Sequence, residues 1–223
     1  MIALQNLSKS FWTPQGPKIV ADDITAVFPT GARVALMGRN GAGKSTMMEM
    51  ISGVVRPDSG RIETRGTVSW PVGFAGSFHR DMTGAQNTRF VARVYGVDTD
   101  DLLAFVKDFA ELGPHFHLPI RNYSAGMRAR LAFGVSIGIP FDTYLVDEVT
   151  SVGDTEFKRK SKAVFLDRMR NAGAIVVSHS PQQLRDFCTS GAVLENGKLT
   201  YHENLDDAIA HHAENMGYDD DDD

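Results

Sequence analysis

Cysteine is almost missing from the chain: Cys188 stands alone in 223 residues, so no internal disulfide can form. A basic excess is missing too. Lysine and arginine number 23 against 28 aspartates and glutamates, and five of those acids form the unbroken run 219–223, so the body of the chain is balanced in charge. A neutral body has no electrostatic pull on a phosphate backbone, which argues against nucleic acid as a partner. Long apolar runs are also absent. The stretch 173–177 falls far short of the roughly 20 residues that cross a bilayer. The opening MIALQNLSKSF lacks the charged-then-apolar pattern of a secretory leader. These absences lead us to expect a reducing, cytoplasmic setting in which any membrane link is made through a partner. No internal repeat is visible. A composition of 42% hydrophobic and 23% charged residues suits one ordinary domain with a sizeable core, and the like charges of 219–223 predict a solvated, disordered tail.

What is present reads as alternating strands and helices. Apolar stretches at 2–4, 19–21, 24–28 and 34–37 are broken by Pro14, Gly16, Pro17, Pro29 and Gly31, and this predicts short strands and turns. A helix is expected over 43–51, stopping near Gly53, then strands at 61–64 and 67–70. The middle changes period. Phe90, Val91, Val94 and Tyr95, then Leu102, Leu103, Val106, Phe109 and Ala110, recur at helical spacing with Gly96 and Gly113 as stops. These predict a helical insert over about 80–140, including an apolar helix at 129–139. Two apolar strands, 144–146 and 174–177, flank a charged helix containing Lys158 and Lys162. Strand, helix, strand at that spacing predicts an α/β fold with a parallel sheet.

Residues 38–45, Gly-Arg-Asn-Gly-Ala-Gly-Lys-Ser, fit G-x-x-x-x-G-K-S between a predicted strand and a predicted helix, the context a phosphate-binding loop requires. Gly38, Gly41 and Gly43 let the backbone wrap with its N–H groups inward. Lys44 can reach terminal phosphates, and the Ser45 hydroxyl can ligate Mg²⁺. Further on, residues 144–148, Tyr-Leu-Val-Asp-Glu, form an apolar strand ending in two carboxylates at the edge where α/β folds bind ligands. Asp147 would join the Mg²⁺ shell. Alternation of side-chain direction aims Glu148 elsewhere, at a water in line with the γ-phosphate, as catalytic base or orienter. Together these residues imply a nucleotide hydrolase.

Residues 123–128, Tyr-Ser-Ala-Gly-Met-Arg, resemble the signature motif of ABC ATPases. The family's usual L-S-G-G-Q is matched at Ser124 and Gly126 and departed from at Tyr123, Ala125 and Met127. A small hydroxyl and a flexible backbone at a helix N-terminus can grip a γ-phosphate, although Ser-x-Gly is also an ordinary N-cap. The resemblance runs in order from residue 1 to about 205. Phe11 matches the aromatic that stacks on adenine, with neighbouring Trp12 as the alternative. The resemblance implies that Asn40 and Thr46 also contact the nucleotide. Val152, Gly153 and Asp154 resemble the loop that crosses between two ATPase subunits, and His179 matches the switch histidine that acts beside Glu148. The other histidines lack the spacing of a zinc site.

The resemblance implies a P-loop ATPase of ABC type over 1–218, with a mainly parallel core, an N-terminal antiparallel β subdomain and the helical insert. ABC ATPases usually carry a glutamine in the loop entering that insert. Residues 67–84 have none, Gln86 comes too late, and His79 stands in that region. That loop, the run from Ser124 and residues 147–154 together look like the ATP-binding subunit of bacterial capsular polysaccharide exporters. About 20 residues follow the last strand pair, too few for the extra carbohydrate-binding domain common in O-antigen exporters.

The resemblance therefore implies a motor using ATP and Mg²⁺ at the cytoplasmic face of the inner membrane. Two copies would sandwich two ATPs, docked on two membrane-spanning permease subunits and through them on a periplasmic co-polymerase-like subunit. Trp70, Phe74 and Phe78 would line a groove for a permease helix or, alternatively, pack the core. The competing readings are export of teichoic acid, O-antigen or another substrate, and a soluble ABC ATPase of translation or DNA repair. One neutral cassette disfavours the last.

Overall fold

Where the sequence predicts several short N-terminal strands, the computed structural model has two long ones. It describes residues 1–73, 78–147 and 154–217, which divide into two units. The first contains 1–71, 141–147 and 171–217, and the second contains 72–73, 78–140 and 154–170. Glu148, Phe74, Val152, Gly153 and the aspartate run lie outside the described residues.

In the first unit β1 (Ile2–Thr13) and β2 (Gly16–Phe28) pair antiparallel from Ile2↔Phe28 to Thr13↔Gly16. The two runs expected at 19–21 and 24–28 are one strand, because the polar residues between them form a bulge rather than a break. Asp23 and Asn6 adopt positive φ of 51° and 48°, which these side chains tolerate, and the Asn6 amide donates to Asp23 Oδ1 at 2.9 Å. After β3 (Arg33–Met37) and α1 (Lys44–Ile51), β4 (Ser59–Thr64) returns to the free edge of β1. That completes an antiparallel sheet of order β2-β1-β4.

The second sheet of this unit adds β5 (Val68–Pro71), β6 (Thr143–Asp147), β7 (Gly173–Val177), β8 (Ser190–Glu195) and β9 (Lys198–His202) in the order β5-β6-β7-β3-β8-β9. All neighbours run parallel except β9, which is antiparallel to β8. Every residue of β7 is buried, which accounts for its unbroken apolar sequence. Leu4, Leu7, Phe28, Leu36, Met47, Leu145, Ile175 and Leu194 share one core. The short β5 is fastened to β6 by Asp142, whose Oδ2 accepts from the backbone N–H and the hydroxyl of Thr67 at 2.7 and 2.9 Å.

The second unit contains α2 (Gly84–Tyr95), α3 (Thr99–Ala110), α4 (Ala125–Gly138) and α5 (Thr155–Arg168). Phe109 stacks on Phe133 at 5.6 Å and meets Phe157 edge-on at 5.2 Å. Helix α3 stops at Glu111, with φ 52°, before the expected Gly113. The Glu111 carboxylate is held by Lys160 at 2.6 Å and Arg130 at 3.5 Å, while Gly113 opens a 3-10 turn. Helix α4 begins four residues earlier than its apolar run, because the Ser124 hydroxyl accepts from the Met127 N–H at 3.1 Å and caps it. The first unit also contains α6 (Pro181–Phe187) and α7 (Leu205–Met216). No helix among the described residues is long and apolar enough to cross a membrane.

Candidate nucleotide site

Buried strand β3 delivers the chain to Gly38, where φ is 151° and a Cβ would stand 2.3 Å from the Leu194 carbonyl oxygen. At Gly43 φ is 107° and a Cβ would stand 2.3 Å from Val20 Cγ1. Glycine alone fits both, and between them the loop turns onto α1 with Arg39, Asn40 and Gly41 exposed. The start of α1 is distinctive. Among the described residues the other six α-helices are capped by side chains, from Thr83, Asp98, Ser124, Asp154, Ser180 and Asn204. Helix α1 has Gly43 at its N-cap, no side-chain cap and no acid in its first turn. Its orphan N–H groups and positive dipole end are left for an external anion.

Lys44 and Ser45 open α1, with half-buried Thr46 behind them. The Lys44 ammonium donates to the Gly38 and Arg39 carbonyls at 2.6 and 3.0 Å. Burial lowers its pKa from the ordinary lysine value, and the Asp147 charge opposes that shift. The Ser45 hydroxyl donates to Asp147 Oδ2 at 3.4 Å across 102 positions of sequence. The two motifs, far apart in the chain, thus meet through a hydroxyl and an exposed carboxylate at the C-terminal end of β6. Both are hard oxygen donors, the kind Mg²⁺ prefers.

Exposed His179 follows β7. With Gly38, Lys44, Ser178 and His212 it lines a cavity of about 250 Å³. Phe11 is 41% exposed, with the Lys9 ammonium 5.0 Å from its ring centre, while Trp12 is 86% exposed.

In the second unit Ser124 is the N-cap of α4 and Gly126 lies in its first turn. Asp154 caps α5 by accepting from the Phe157 N–H at 2.9 Å, and its other oxygen takes the Arg130 guanidinium at 2.7 Å. The Phe157 N–H, with Arg130 in support, holds the Asp154 carboxyl below its ordinary pKa. His79 is exposed, and its N–H donates to Asn87 Oδ1 at 2.8 Å. In the first unit Trp70 meets Phe141 edge-on at 5.5 Å.

Two participants escape a reading by motif. Arg39 donates from its guanidinium to the Asn215 carbonyl at 2.6 Å, which ties the phosphate loop to the last turn of α7. From the same helix His212 reaches the cavity beside Lys44. No local pattern announces either contact, since both depend on where α7 packs. A Cβ on Gly191 of β8 would stand 2.4 Å from Ala208 Cβ, so that glycine is what lets α7 approach.

The sheet order, the uncapped α1 and the Ser45–Asp147 pair define a phosphate-binding α/β ATPase. The chain belongs to the ABC transporter family, whose pattern matches residues 21–151, and it is an ATP-binding domain of that family. It is 47% identical, over 94% of its length and 95% of the relative's, to the polysialic acid transport ATP-binding protein KpsT of Escherichia coli. To the ATP-binding protein BexA of Haemophilus influenzae it is 42% identical over 96% and 99%. The teichoic acids export ATP-binding protein TagH of Staphylococcus haemolyticus is 36% identical over 84% and 72%. A solved ATP-binding subunit of an ABC transporter superposes with a TM-score of 0.80 over 97% of this chain and 93% of that one, at 21% identity. The mainly parallel sheet with an antiparallel N-terminal sheet agrees with that architecture.

Proposed function

We propose that the chain is the MgATP-driven motor subunit of an exporter that moves capsular polysaccharide across the bacterial inner membrane. The observation carrying the substrate class is a gradient of identity. It stands at 47% to a polysialic acid transporter's ATPase over nearly the whole chain and at 36% to a teichoic acid exporter's.

In this reading the α1 N-terminus and Lys44 bind the terminal phosphates, and Phe11 or Trp12 stacks on adenine. Ser45 and Asp147 would hold Mg²⁺, which when bound supplies positive charge to the phosphate oxygens. Glu148 orients the attacking water and His179 contacts the γ-phosphate. Ser124 and Gly126 of one copy, with Asp154 of the crossing loop, complete the site of a second copy. The motor sits on the cytoplasmic face of the membrane against two permease subunits, and through them it works with a periplasmic co-polymerase-like subunit.

An apolar helix stripe supports a permease contact. Phe90 and Val94 of α2 are 54% and 61% exposed, with Tyr95 exposed beside them in sequence, and apolar faces of this kind mark partner surfaces. Complementation tests the proposal. In a capsule-forming strain lacking its own export ATPase, the wild-type chain should restore surface polysaccharide and Lys44→Ala should not. Restoration of teichoic acid export alone would refute the substrate class, and equal restoration by Lys44→Ala would refute the motor.

A further inference from the structure

Outside the motifs, His212 has surroundings that its position on α7 does not explain. It walls the cavity that also contains Gly38, Lys44, Ser178 and His179, and its Nδ1 is buried with no hydrogen-bond partner. The groups around it are Lys44 of α1, Arg39 of the phosphate loop, Glu195 of β8 and neighbouring His211, and His179 lines the same cavity. His211 is itself engaged, its Nδ1 lying 2.9 Å from His202 Nε2. One oxygen of Glu195 is also buried without a partner. A buried imidazole nitrogen with nothing to bond, set among cations beside a loop built for an anion, is out of balance until the anion arrives.

We propose that His212 is a proton-linked sensor of the terminal phosphates. MgATP arriving at Lys44 draws a proton from solvent onto Nδ1 of His212, and the resulting imidazolium strengthens the hold on the polyphosphate. The inference rests on the ATP-binding reading and goes beyond it by adding a charge from α7 to the phosphate pocket. Burial, then the Lys44 charge, pushes the His212 pKa below the ordinary histidine value, while Glu195 opposes the shift. In the nucleotide-free protein the imidazole is therefore neutral at neutral pH. Bound phosphates reverse the sign of the local field, so the protonated form becomes favourable. By linkage, whatever ATP does to proton affinity, the proton does to ATP affinity.

Titration calorimetry of the full-length protein with ATP and excess Mg²⁺, in two buffers of different ionisation enthalpy, counts the protons taken up on binding. Wild type should take up a fraction of a proton near neutral pH. Its MgATP affinity should tighten as pH falls from about 8 to about 6, at up to about tenfold per pH unit for one linked proton. His212→Gln should lose both the uptake and the pH dependence while still binding nucleotide. His212→Asn provides a second neutral side chain if glutamine folds poorly, and His211→Gln should keep the wild-type proton count. A purely structural role would shift affinity equally at every pH and leave the count unchanged. Equal uptake in wild type and both His212 variants, or loss of uptake in His211→Gln instead, overturns the proposal. Absence of any MgATP binding by the folded wild-type protein would instead overturn the ATP-site reading beneath it.

Discussion

At the residue scale, the site depends on the absence of side chains as much as on their presence. Gly38 sits against the backbone of β8, where a methyl group would meet the Leu194 carbonyl oxygen at 2.3 Å. A backbone atom cannot swing away as a flexible side chain can. Gly38→Ala is therefore expected to cost about 1–3 kcal/mol of stability and to lose nucleotide affinity, because the loop must shift to fit. Lys44→Ala should separate the two effects. Among the described residues the ammonium bonds only to the Gly38 and Arg39 carbonyls of its own loop, so melting temperature should stay within a few degrees of wild type while MgATP affinity collapses. Thermal melts and nucleotide titrations of both variants check this. A Gly38→Ala protein as stable as Lys44→Ala would contradict the close approach to β8.

At the element scale, β5 and α2 make separate claims. Only four residues long, β5 is held to β6 by Asp142, whose carboxyl is kept below its ordinary pKa by the N–H of Thr67 and then by the Thr67 hydroxyl. The depressed pKa fixes the sign. The stabilisation is fully present above the unfolded carboxylate pKa of about 4 and disappears as pH falls through the lower folded value. Asp142→Asn should thus cost about 1 kcal/mol at neutral pH, at the low end for a charged acceptor because the site is exposed. The gap to wild type should narrow as the pH of urea melts falls below about 4, and a gap independent of pH would reject the account. For α2, Val94→Asp should leave the melt and ATP binding unchanged while reducing copurification with the permease subunits. If instead Val94→Asp unfolds the protein, the stripe is core. The sequence showed Phe90, Val94 and Tyr95 to be helical but not which way they face. Periodicity gives the helix, while the buried side is set by Val91, Ala92 and the small polar Asn87 and Thr88, whose burial depends on neighbouring helices. Position 111 is a similar case: Gly113 is the better stop by propensity, and the Lys160 and Arg130 contacts give the role to Glu111. The phosphate loop was legible because its function demands a local pattern. The link from α7 to Arg39 was not, because it joins positions 39 and 215 through packing alone.

At the scale of the whole molecule, the chain is expected to be half of a working machine. The proposed composite site needs Lys44 and Asp147 from one copy and Ser124 and Gly126 from another, so assembly should depend on nucleotide. Glu148→Gln keeps the shape of the side chain and removes the carboxylate proposed to orient water. MgATP should therefore bind without being consumed, and the closed pair should accumulate. Light-scattering chromatography should show Glu148→Gln shifting from monomer to dimer on adding MgATP, and remaining monomeric with nucleotide but no divalent cation. Ser124→Arg in the same background tests the contact itself. Ser124 caps α4 within its own unit, so loss of the cap alone would lower stability by about 1 kcal/mol without preventing ATP binding. An arginine there also places bulk and unpaired charge where a second copy must close. The double variant should bind MgATP and stay monomeric. If it dimerises as readily as Glu148→Gln alone, the hydroxyl at 124 is only a helix cap, and the composite site must be built from other residues.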